Sequence, residues 1–551
     1  MKTLILTISC VFLIGIIVVA YYVFSDKTLL NKLEDGQEYQ IQNSDKFLCT
    51  NFVPGAQSAK KPTIVEESDL SKTYNVIVIG AGMAGIEAGH QLQRDGIDTL
   101  ILEGRDRIGG RVYTDDMNGF TIDLGGSWIH GLNEHSRLEN PLFKITQKND
   151  IVVTKTHQST TLYNYTGQKI NDYSYDLIDK YYRFAESYDE TLTDKQRQEL
   201  SAQDVMDMFY AKTNLNENEK AIFEYTLQWD FDMEQAENTT NTSFAKTLTT
   251  QYYEDDEDNE VVFPHGYNQI VNCLADGLNI KHANVTAVDY GEPIIKVETN
   301  QGTFHSKYVI STLPIPVLQN KTGMGVKFTP ELEQAKKYAI ERLYMGTMDK
   351  VYLLYDESFW DSSAWINRIA KNDDDKKWQF FFNMHKYTGK PILLAFNTGE
   401  SAKQIEKKSD DEIIKEVVSV LKTIYPNSPD PVDWRITRWA SDPLAGGSYS
   451  IIPIDGSVDS AIELAKPIDN KLFLSGEATS AHYYGTVHGA YISGYRAAQQ
   501  VLKVENDDLL DAPLEQIRHG IKKWDVVCKA GYEPIVDEIA KDNTRCKKTS
   551  S

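Results

Sequence analysis

The sequence predicts an α/β fold with a doubly wound parallel sheet and a second, α+β region. A short β-branched run at residues 74–79 leads into a glycine-rich turn and a helix, which is typical of a buried parallel strand that opens a βαβ unit. From about residue 145 to 250 glycines become rare and apolar residues follow helical spacing. Strand patterns return at 284–290, 294–299 and 308–312, and a last β-then-α unit covers 472–502. Two kinds of pattern therefore indicate two kinds of domain.

Length and charge set limits on the function. A chain of 551 residues is too long for one ordinary core, so two or more domains are expected. The formal net charge of −23 repels phosphate backbones, and nucleic acid is therefore not expected as a partner. The same charge is compatible with a cationic small molecule.

The N-terminus carries an apolar run from residue 4 to 24, closed by Ser25, Asp26 and Lys27. About 20 apolar residues can span a bilayer, whereas the core of a cleaved signal usually has about 7–15. We therefore expect a signal-anchor over residues 1–25, with a cleaved signal peptide as the alternative, and a polar stalk over 26–73. Either one directs the chain into the secretory pathway, as a membrane-anchored enzyme with a lumenal or extracellular domain or as a secreted one.

The cysteines are too few for a disulfide scaffold, with five in the chain. We expect Cys10 and Cys273 to be unpaired, because the first lies in the apolar run and the second in an amphipathic helix. One pair among Cys49, Cys528 and Cys546 is expected to be bridged, and the sequence leaves open which pair. N-x-S/T sequons for glycosylation occur at Asn164, Asn238, Asn241, Asn284 and Asn320.

A dinucleotide site is predicted directly after the strand at 74–79. Gly80, Gly82 and Gly85 form a G-x-G-x-x-G turn that opens a helix at 86–94. The glycines permit a tight turn, close approach of a pyrophosphate and close packing of helix on strand, while the helix N-terminus faces the anion. A second strand at 99–102 ends in Glu103, whose carboxylate can accept hydrogen bonds from ribose hydroxyls.

Further motifs resemble those of the flavin-containing amine oxidase family, most closely its polyamine oxidase branch. They are E-x-R-x-R-x-G-G-R at 103–111, G-G-S-W-I-H-G at 125–131 and the segments 472–479 and 485–490. The likeness covers about residues 74–503. It implies a doubly wound, Rossmann-like FAD-binding domain from 74–150, 260–315 and 435–503. An α+β substrate domain from 151–259 and 316–434 interleaves with it, and residues 504–551 form a tail.

The resemblance also assigns the cofactor site. It places Arg105 and Arg111 near the FAD phosphates and ribityl chain, Glu477 on the ribityl hydroxyls, the Val285 backbone at the adenine and the Val487 N–H at the flavin O2 atom. The segment against the flavin ring comprises Gly110, Gly125, Gly126, Ser127 and Trp128.

One departure from the family bears on how the flavin is held. Monoamine oxidases tether FAD through the cysteine of a G-G-C-Y sequence, whereas this chain has Ser448 at that position, followed by Tyr449. A serine cannot form the thioether, so FAD is expected to be non-covalent. No metal site is predicted.

The resemblance implies the reacting residues as well. Lys350 matches the lysine that holds a water near flavin N5, and His130 the position beside the amine. Tyr449 forms one aromatic wall over the flavin, and Thr486 stands where the opposing aromatic would be, so the cage is open on one side. Glu234 lies where relatives place an acid that faces a second amine. Trp128 is expected to contact the substrate too.

These residues predict an FAD-dependent polyamine oxidase. The substrate C–H beside nitrogen would give hydride to flavin N5, the iminium would hydrolyse to an aminoaldehyde, and O2 would reoxidise the flavin with release of H2O2. The alternatives are an L-amino-acid or other amine oxidase of the same fold and a membrane-tethered flavoprotein without catalysis. A histone demethylase is less favoured, because its added N-terminal domain and coiled insertion are not recognised. The sequence leaves open the particular polyamine, the C–N bond cleaved and the oligomeric state.

Overall fold

The computed structural model describes residues 70–506 except 133–139, 158, 172–175, 245–259, 373–374, 455 and 482, together with three short strands outside that range. No helix among these residues is both long and apolar enough to cross a membrane. The apolar run at 4–24 lies outside the described residues, as do the acidic run at 254–258 and most of the tail. The signal-anchor therefore stays a prediction.

The strands are, in chain order, β1 (Glu38–Tyr39), β2 (Thr73–Ile79), β3 (Thr99–Glu103), β4 (Thr114–Met117), β5 (Phe120–Asp123), β6 (Trp128–Ile129), β7 (Val153–Thr156), β8 (Thr160–Tyr163), β9 (Lys169–Ile170), β10 (Glu260–Val262), β11 (Ile280–His282), β12 (Val285–Asp289), β13 (Ile295–Thr299), β14 (Gly302–Ser311), β15 (Lys327–Thr329), β16 (Tyr344–Gly346), β17 (Met348–Leu354), β18 (Trp365–Arg368), β19 (Phe380–Asn383), β20 (Ile392–Thr398), β21 (Asp433–Ile436), β22 (Tyr449–Ile451), β23 (Leu472–Leu474), β24 (Tyr532–Ile535) and β25 (Arg545–Lys548).

The α-helices are α1 (Met83–Arg94), α2 (Pro141–Lys148), α3 (Asp176–Asp189), α4 (Asp194–Glu199), α5 (Ala202–Lys212), α6 (Glu217–Leu227), α7 (Asn268–Leu274), α8 (Ile315–Leu318), α9 (Gln334–Glu341), α10 (Met384–Thr388), α11 (Gly399–Ile405), α12 (Asp410–Ile424), α13 (Val458–Ala465) and α14 (Val487–Glu505). A π-helical turn, Gln228–Met233, continues α6, and a 3-10 turn spans Glu477–Thr479.

The first large sheet has the strand order β11-β3-β2-β14-β13-β12-β15, with β23 also paired to β14. Its centre is parallel, since β2 pairs in parallel with both β3 and β14. Val76 and Val78 pack into one buried cluster, and Ile77 and Ile79 into another on the opposite face. Burial on both faces explains why residues 76–79 of β2 form an uninterrupted apolar run, and the predicted doubly wound α/β fold is confirmed.

The second large sheet has the order β21-β17-β20-β19-β18-β8-β9 and is mainly antiparallel. Its strands come from both sides of the chain segment that forms β10 to β14, which is the interleaving that the resemblance implied. One face packs with Trp128 and Tyr352, and the other packs under α12. The proposed domain boundaries stay predictions. β15 lies in the segment 316–434 expected for the substrate domain, yet it joins the first sheet. β21 spans the expected boundary between residues 434 and 435 and joins the second sheet.

Two local features were not expected from the sequence. Within the region of helical spacing, the α-helix that begins at Glu217 ends at Leu227 and continues as a π-helical turn, which helical spacing alone does not predict. Cys273 is disulfide-bonded, so the expectation that it is unpaired was wrong. It does lie in a helix, α7, and is buried there. The other four cysteines lie outside the residues whose side chains are described.

Candidate active site

The glycine turn between β2 and α1 has the geometry that a dinucleotide pyrophosphate requires. A Cβ on Gly85 would lie 1.9 Å from the carbonyl oxygen of Gly80, so only glycine permits this packing of helix against strand. Gly82 is the N-cap of α1, with no side-chain cap and no acid in the first helical turn. Gly110 faces it, since a Cβ on Gly110 would lie 3.2 Å from the Gly82 Cα. Backbone thus surrounds a helix N-terminus that favours an anion.

Glu103 is the last residue of β3, and its side chain is hydrogen-bonded to the glycine turn. Its carboxylate accepts the Ala81 N–H at 2.6 Å and the Arg105 N–H at 2.8 Å. Burial raises the pKa of this carboxyl, while the two N–H groups oppose that shift. A carboxylate offers about four lone-pair sites, so acceptor capacity is left for ribose hydroxyls.

Arg111 and Glu477 meet although they are far apart in sequence. Arg111 donates to the Glu477 carboxylate at 2.8 Å and to the Ser448 carbonyl at 3.1 Å. Glu477 also accepts the Gly485 N–H at 2.7 Å and the hydroxyl of Ser450. One carboxylate therefore joins three of the motifs that the sequence assigned to a single flavin site.

Arg105 forms an ion pair that the sequence did not indicate. Its guanidinium forms a bidentate ion pair with Asp442, at 2.8 and 2.7 Å. This pair joins the motif at 103–111 to the segment that precedes β22. Two N–H groups are thereby engaged, and a contact to the FAD phosphates is left as a prediction for the remaining donors.

The segment predicted to line the flavin ring is packed against the backbone. A Cβ on Gly125 would lie 1.8 Å from the Arg111 carbonyl oxygen, and one on Gly126 would lie 2.9 Å from Cγ2 of Val487. Val487 begins α14, so the motif at 125–131 and the motif at 485–490 are in contact there. Large side chains at either glycine would separate the two.

Lys350 lies on β17 beneath this segment. Its Nζ donates to the carbonyls of Asp123 at 3.1 Å and Gly125 at 2.6 Å, and to the Ser127 hydroxyl at 2.5 Å. It also lies 5.6 Å from the ring centroid of Trp128. Lys350, the glycine segment and Trp128 therefore lie close together, and their common role at the flavin stays a prediction.

Lys350 is buried deeply enough to lose its charge near neutral pH. Burial lowers the pKa of Lys350 to about 7, and the nearby Asp123 carboxylate only partly opposes this. Burial likewise raises the pKa of Asp123 to about 6. A neutral Lys350 amine, which has a lone pair, is therefore accessible near neutral pH.

His130 lies at the end of β6 and is paired with a residue that the sequence did not single out. Its Nδ1 is 2.5 Å from a carboxylate oxygen of Glu260. The pairing of β6 with β10, in which Val261 is opposite Ile129, sets this contact. His488 lies close enough to be affected by His130, and burial, together with His130, lowers the pKa of His488 to about 3. Glu260 and His488 are thus two residues near His130 that the sequence analysis did not single out.

Tyr449 and Glu234 are neighbours. The Tyr449 hydroxyl donates to the carbonyls of Met233 at 3.0 Å and Glu234 at 3.1 Å, where the π-helical turn ends. Burial, and then the Glu234 charge, raise the pKa of Tyr449 well above its usual value. Glu234 itself is solvent-exposed. The Tyr449 ring is therefore adjacent to the chain segment that carries the Glu234 carboxylate.

Three other predicted residues have structural contacts. Thr486 caps α14, since its hydroxyl accepts the Gly489 N–H at 2.9 Å. Val285 begins β12 just after Ala283, whose N–H donates to the Glu103 carbonyl at 2.8 Å. The Trp128 ring packs edge-on against Phe382, with ring centroids 5.1 Å apart.

A cavity of about 660 Å³ lies between α5, α6, the π-helical turn and the second sheet. Phe396, which lines it, also packs against Trp128, with ring centroids 6.2 Å apart. Its polar wall includes Gln228 and Asp232, and burial raises the pKa of Asp232 to about 7. The described residues contain no cluster of three or more metal-ligating side chains.

The residues of this site fit FAD. Gly82 and Gly110 leave the pyrophosphate position lined by backbone, and Glu103 retains acceptor capacity for the ribose. Ser448, at the position of the tethering cysteine, exchanges hydrogen bonds with the Met348 backbone N–H at 2.8 Å and carbonyl at 2.9 Å. The hydroxyl thus has a structural role, and nothing at this position could bind the flavin covalently.

Comparison with known proteins agrees with this site. The family described as flavin-containing amine oxidoreductase matches residues 83–502. The Oryza sativa subsp. japonica protein named Polyamine oxidase 3 is 31% identical over 446 residues, which cover 78% of this chain and 89% of that relative. The Arabidopsis thaliana protein named Lysine-specific histone demethylase 1 homolog 2 is 33% identical over 462 residues, covering 78% of this chain and 59% of that relative.

A solved structure shows the same fold. A double mutant of putrescine oxidase, redesigned in its cofactor binding, superposes with a TM-score of 0.64 at 17% identity, over 78% of this chain and 99% of that one. The chain belongs to the flavin-containing amine oxidase family. It is an FAD-dependent amine oxidase, as the motifs predicted. The roles of individual residues are still predictions.

Proposed function

We propose that this protein is a polyamine oxidase that acts on spermine- or spermidine-type amines, uses non-covalent FAD and passes the electrons to O2. Bound FAD would supply the acceptor for the hydride that leaves the C–H beside the substrate nitrogen. The products would be an aminoaldehyde, a shorter amine and H2O2. The likeness to a polyamine oxidase over most of both chains supports this substrate class.

The observation that carries the proposal is the contact of Tyr449 with the segment that bears Glu234. The Tyr449 hydroxyl is 3.1 Å from the Glu234 carbonyl oxygen, and the Glu234 charge is felt at the Tyr449 ring. A substrate that lies along Tyr449 would bring a distant ammonium near a carboxylate. Such complementarity favours di- and triamines over monoamines. The surplus of negative charge on the whole chain acts in the same direction.

Lys350 is proposed to hold a water beside the flavin for imine hydrolysis or for the reaction with O2. As an ammonium, Lys350 donates its three N–H groups to the backbone carbonyls of Asp123 and Gly125 and to the Ser127 hydroxyl. As a neutral amine it gains a lone pair, to which a water can donate. The lowered pKa of Lys350, about 7, makes both forms available near neutral pH.

His130 is proposed to orient the substrate amine or take up its proton. The Nδ1 contact with Glu260 at 2.5 Å orients the imidazole ring of His130. Glu260 would also stabilise the protonated ring, as a carboxylate does for a histidine base. This pair is therefore suited to hold one proton.

The rival activities lack comparable support. An L-amino-acid oxidase needs an arginine for the substrate carboxylate, and the three arginines of the motif at 103–111 have other partners: Arg105 pairs with Asp442, Arg111 pairs with Glu477, and Arg107 donates to the Gly110 carbonyl at 2.8 Å. The histone demethylase relative extends well beyond the part this chain matches. A non-catalytic role would leave the buried Lys350 cluster without an explanation.

We also propose that the enzyme works in the secretory pathway. The disulfide at Cys273 supports this location, because disulfides persist in oxidising compartments and are rare in the cytosol. The N-terminal apolar run supports it independently.

Glu234→Gln tests the substrate assignment. With spermidine we expect KM to rise about tenfold, because one well-placed carboxylate is lost, while kcat and the kinetics of a monoamine such as benzylamine change less than about twofold. Glu217→Gln, at an exposed position that begins α6, is the matched control. Equal effects on spermidine and benzylamine would contradict the role of Glu234. Failure of every polyamine to turn over would overturn the proposed function.

A further inference from the structure

A second buried network lies behind Lys350, on the opposite face of the same strand. Asp349 is 1% exposed and stands opposite Asn397 in the pairing of β17 with β20. Its Oδ1 accepts the Thr437 hydroxyl at 2.8 Å and the Trp439 N–H at 3.1 Å. Its Oδ2 is equally buried and receives no N–H or O–H donor.

The group that faces Asp349 is another carboxyl, that of Glu406. Glu406 already accepts the Ala440 N–H at 2.7 Å, the Ser441 N–H at 2.7 Å and the Ser441 hydroxyl. Two buried carboxylates cannot both be charged in contact, so one of them carries a proton. Both Glu406 oxygens are taken by donors, whereas Asp349 Oδ2 has none, and the proton therefore belongs on Asp349.

The charged surroundings agree with this assignment. Burial, followed by Glu406, raises the pKa of Asp349 well above its usual value. The cross-strand residue is the uncharged Asn397, and the Lys350 side chain binds the Asp123–Ser127 segment on the other face. Arg438 donates to the Glu406 backbone carbonyl at 3.4 Å, and the other end of its guanidinium binds the Lys408 carbonyl and Asp410.

The network is connected both to the backbone of Lys350 and to the loop that binds its side chain. The hydroxyl of Thr437, which donates to Asp349, accepts the Lys350 backbone N–H at 2.8 Å. Trp439, whose N–H binds Asp349, donates its indole N–H to the Leu124 carbonyl at 3.2 Å. Leu124 lies between the two residues whose carbonyls receive the Lys350 ammonium. Asp349 thus fixes the strand that carries the lysine and the loop that receives its side chain.

We propose that Asp349 is a neutral carboxylic acid that donates a hydrogen bond to Glu406 and acts as the positioning residue for Lys350. The inference rests on the proposed role of Lys350 beside the flavin. A neutral acid here has one donor and one acceptor oxygen, and asparagine reproduces both. Glutamine at 406 would instead turn N–H donors toward the N–H groups of Ala440 and Ser441.

The test compares Asp349→Asn, Asp349→Ala, Glu406→Gln and Lys350→Met in the holoenzyme. The first measurement is the rate at which O2 reoxidises the reduced flavin. Asp349→Asn should stay within about twofold of the wild type, whereas Asp349→Ala and Glu406→Gln should slow the reaction about tenfold. Combined with Lys350→Met, Asp349→Ala should add no further loss, because it acts through the lysine.

The second measurement is thermal unfolding of the same proteins from about pH 4 to pH 7. The unfolded chain releases the Asp349 proton above its ordinary pKa while the folded chain keeps it, so wild-type stability falls as the pH rises. Asp349→Asn lacks this loss, and its Tm should rise relative to the wild type along the series. Glu406→Gln should lower the Tm throughout. This readout does not depend on turnover, and it still applies if Asp349→Ala folds poorly.

The outcomes separate the two proposals. If Lys350→Met reoxidises at the wild-type rate, the role of Lys350 fails. If Lys350→Met is slow but Asp349→Ala is not, or if Asp349→Asn is as slow as Asp349→Ala, the positioning role of Asp349 is overturned. Losses that add fully in the double variant would contradict it as well, and an unchanged pH dependence in Asp349→Asn would show that the carboxyl is ionised.

Discussion

Replacing Lys350 with methionine tests whether this lysine is a buried group with a strongly lowered pKa. Burial takes the pKa from 10.5 to about 7. Between these values the unfolded chain binds a proton that the folded chain does not, so wild-type stability is lost as the pH falls. Each pH unit in this window corresponds to about 1.4 kcal/mol. Lys350→Met lacks this effect and should gain about 2–3 kcal/mol relative to the wild type between pH 9.5 and pH 7.5.

The assay is urea unfolding of the holoenzyme, with thermal unfolding as a check on reversibility. The range lies above the pKa of Asp123, about 6, so that this neighbouring carboxyl stays ionised. Lys296→Met, at an exposed position on β13, is the control and should show a flat difference. A flat difference for Lys350→Met would mean that Lys350 is cationic in the folded protein, and a difference that grows toward high pH would reverse the sign of the reasoning.

Three further predictions concern the cofactor site and the disulfide. Gly85→Val should give protein that purifies without yellow colour, because its Cβ would lie 1.9 Å from the Gly80 carbonyl oxygen; yellow protein with normal absorbance would contradict this. Glu477→Gln should weaken FAD retention about tenfold in equilibrium dialysis, since it removes the charged partner of Arg111; unchanged retention would refute its role. Peptide mapping without reduction should find Cys273 in a cross-linked peptide, and a free Cys273 thiol would contradict the structure.

The sequence was sufficient wherever the signal is local. The β2–turn–α1 unit could be predicted because strand, glycines and helix follow one another within about one βαβ unit. The meeting of Arg111 with Glu477 could not be derived from spacing, because they come together only when separate parts of the chain share one site. Resemblance to a family assigned both residues to the FAD site, but it did not predict their ion pair.

Other features depend on register and on tertiary contacts. Glu260 reaches His130 only because β10 pairs with β6 in one register, and a shift of one residue would turn it away. The Asp349–Glu406 pair joins a strand to the residue that follows α11, with no motif to mark it. The error at Cys273 has the same origin, because helical spacing indicates burial but gives no information on a partner distant in sequence.

Anaerobic reduction of the bound flavin tests the substrate assignment most directly. Purified holoenzyme would be mixed without oxygen with spermine, spermidine, their acetylated forms and benzylamine, and the flavin absorbance followed in time. The account predicts yellow protein that a polyamine bleaches at least about tenfold faster than benzylamine, with an aminoaldehyde as product. Colourless protein, or a flavin that no polyamine bleaches, would contradict it.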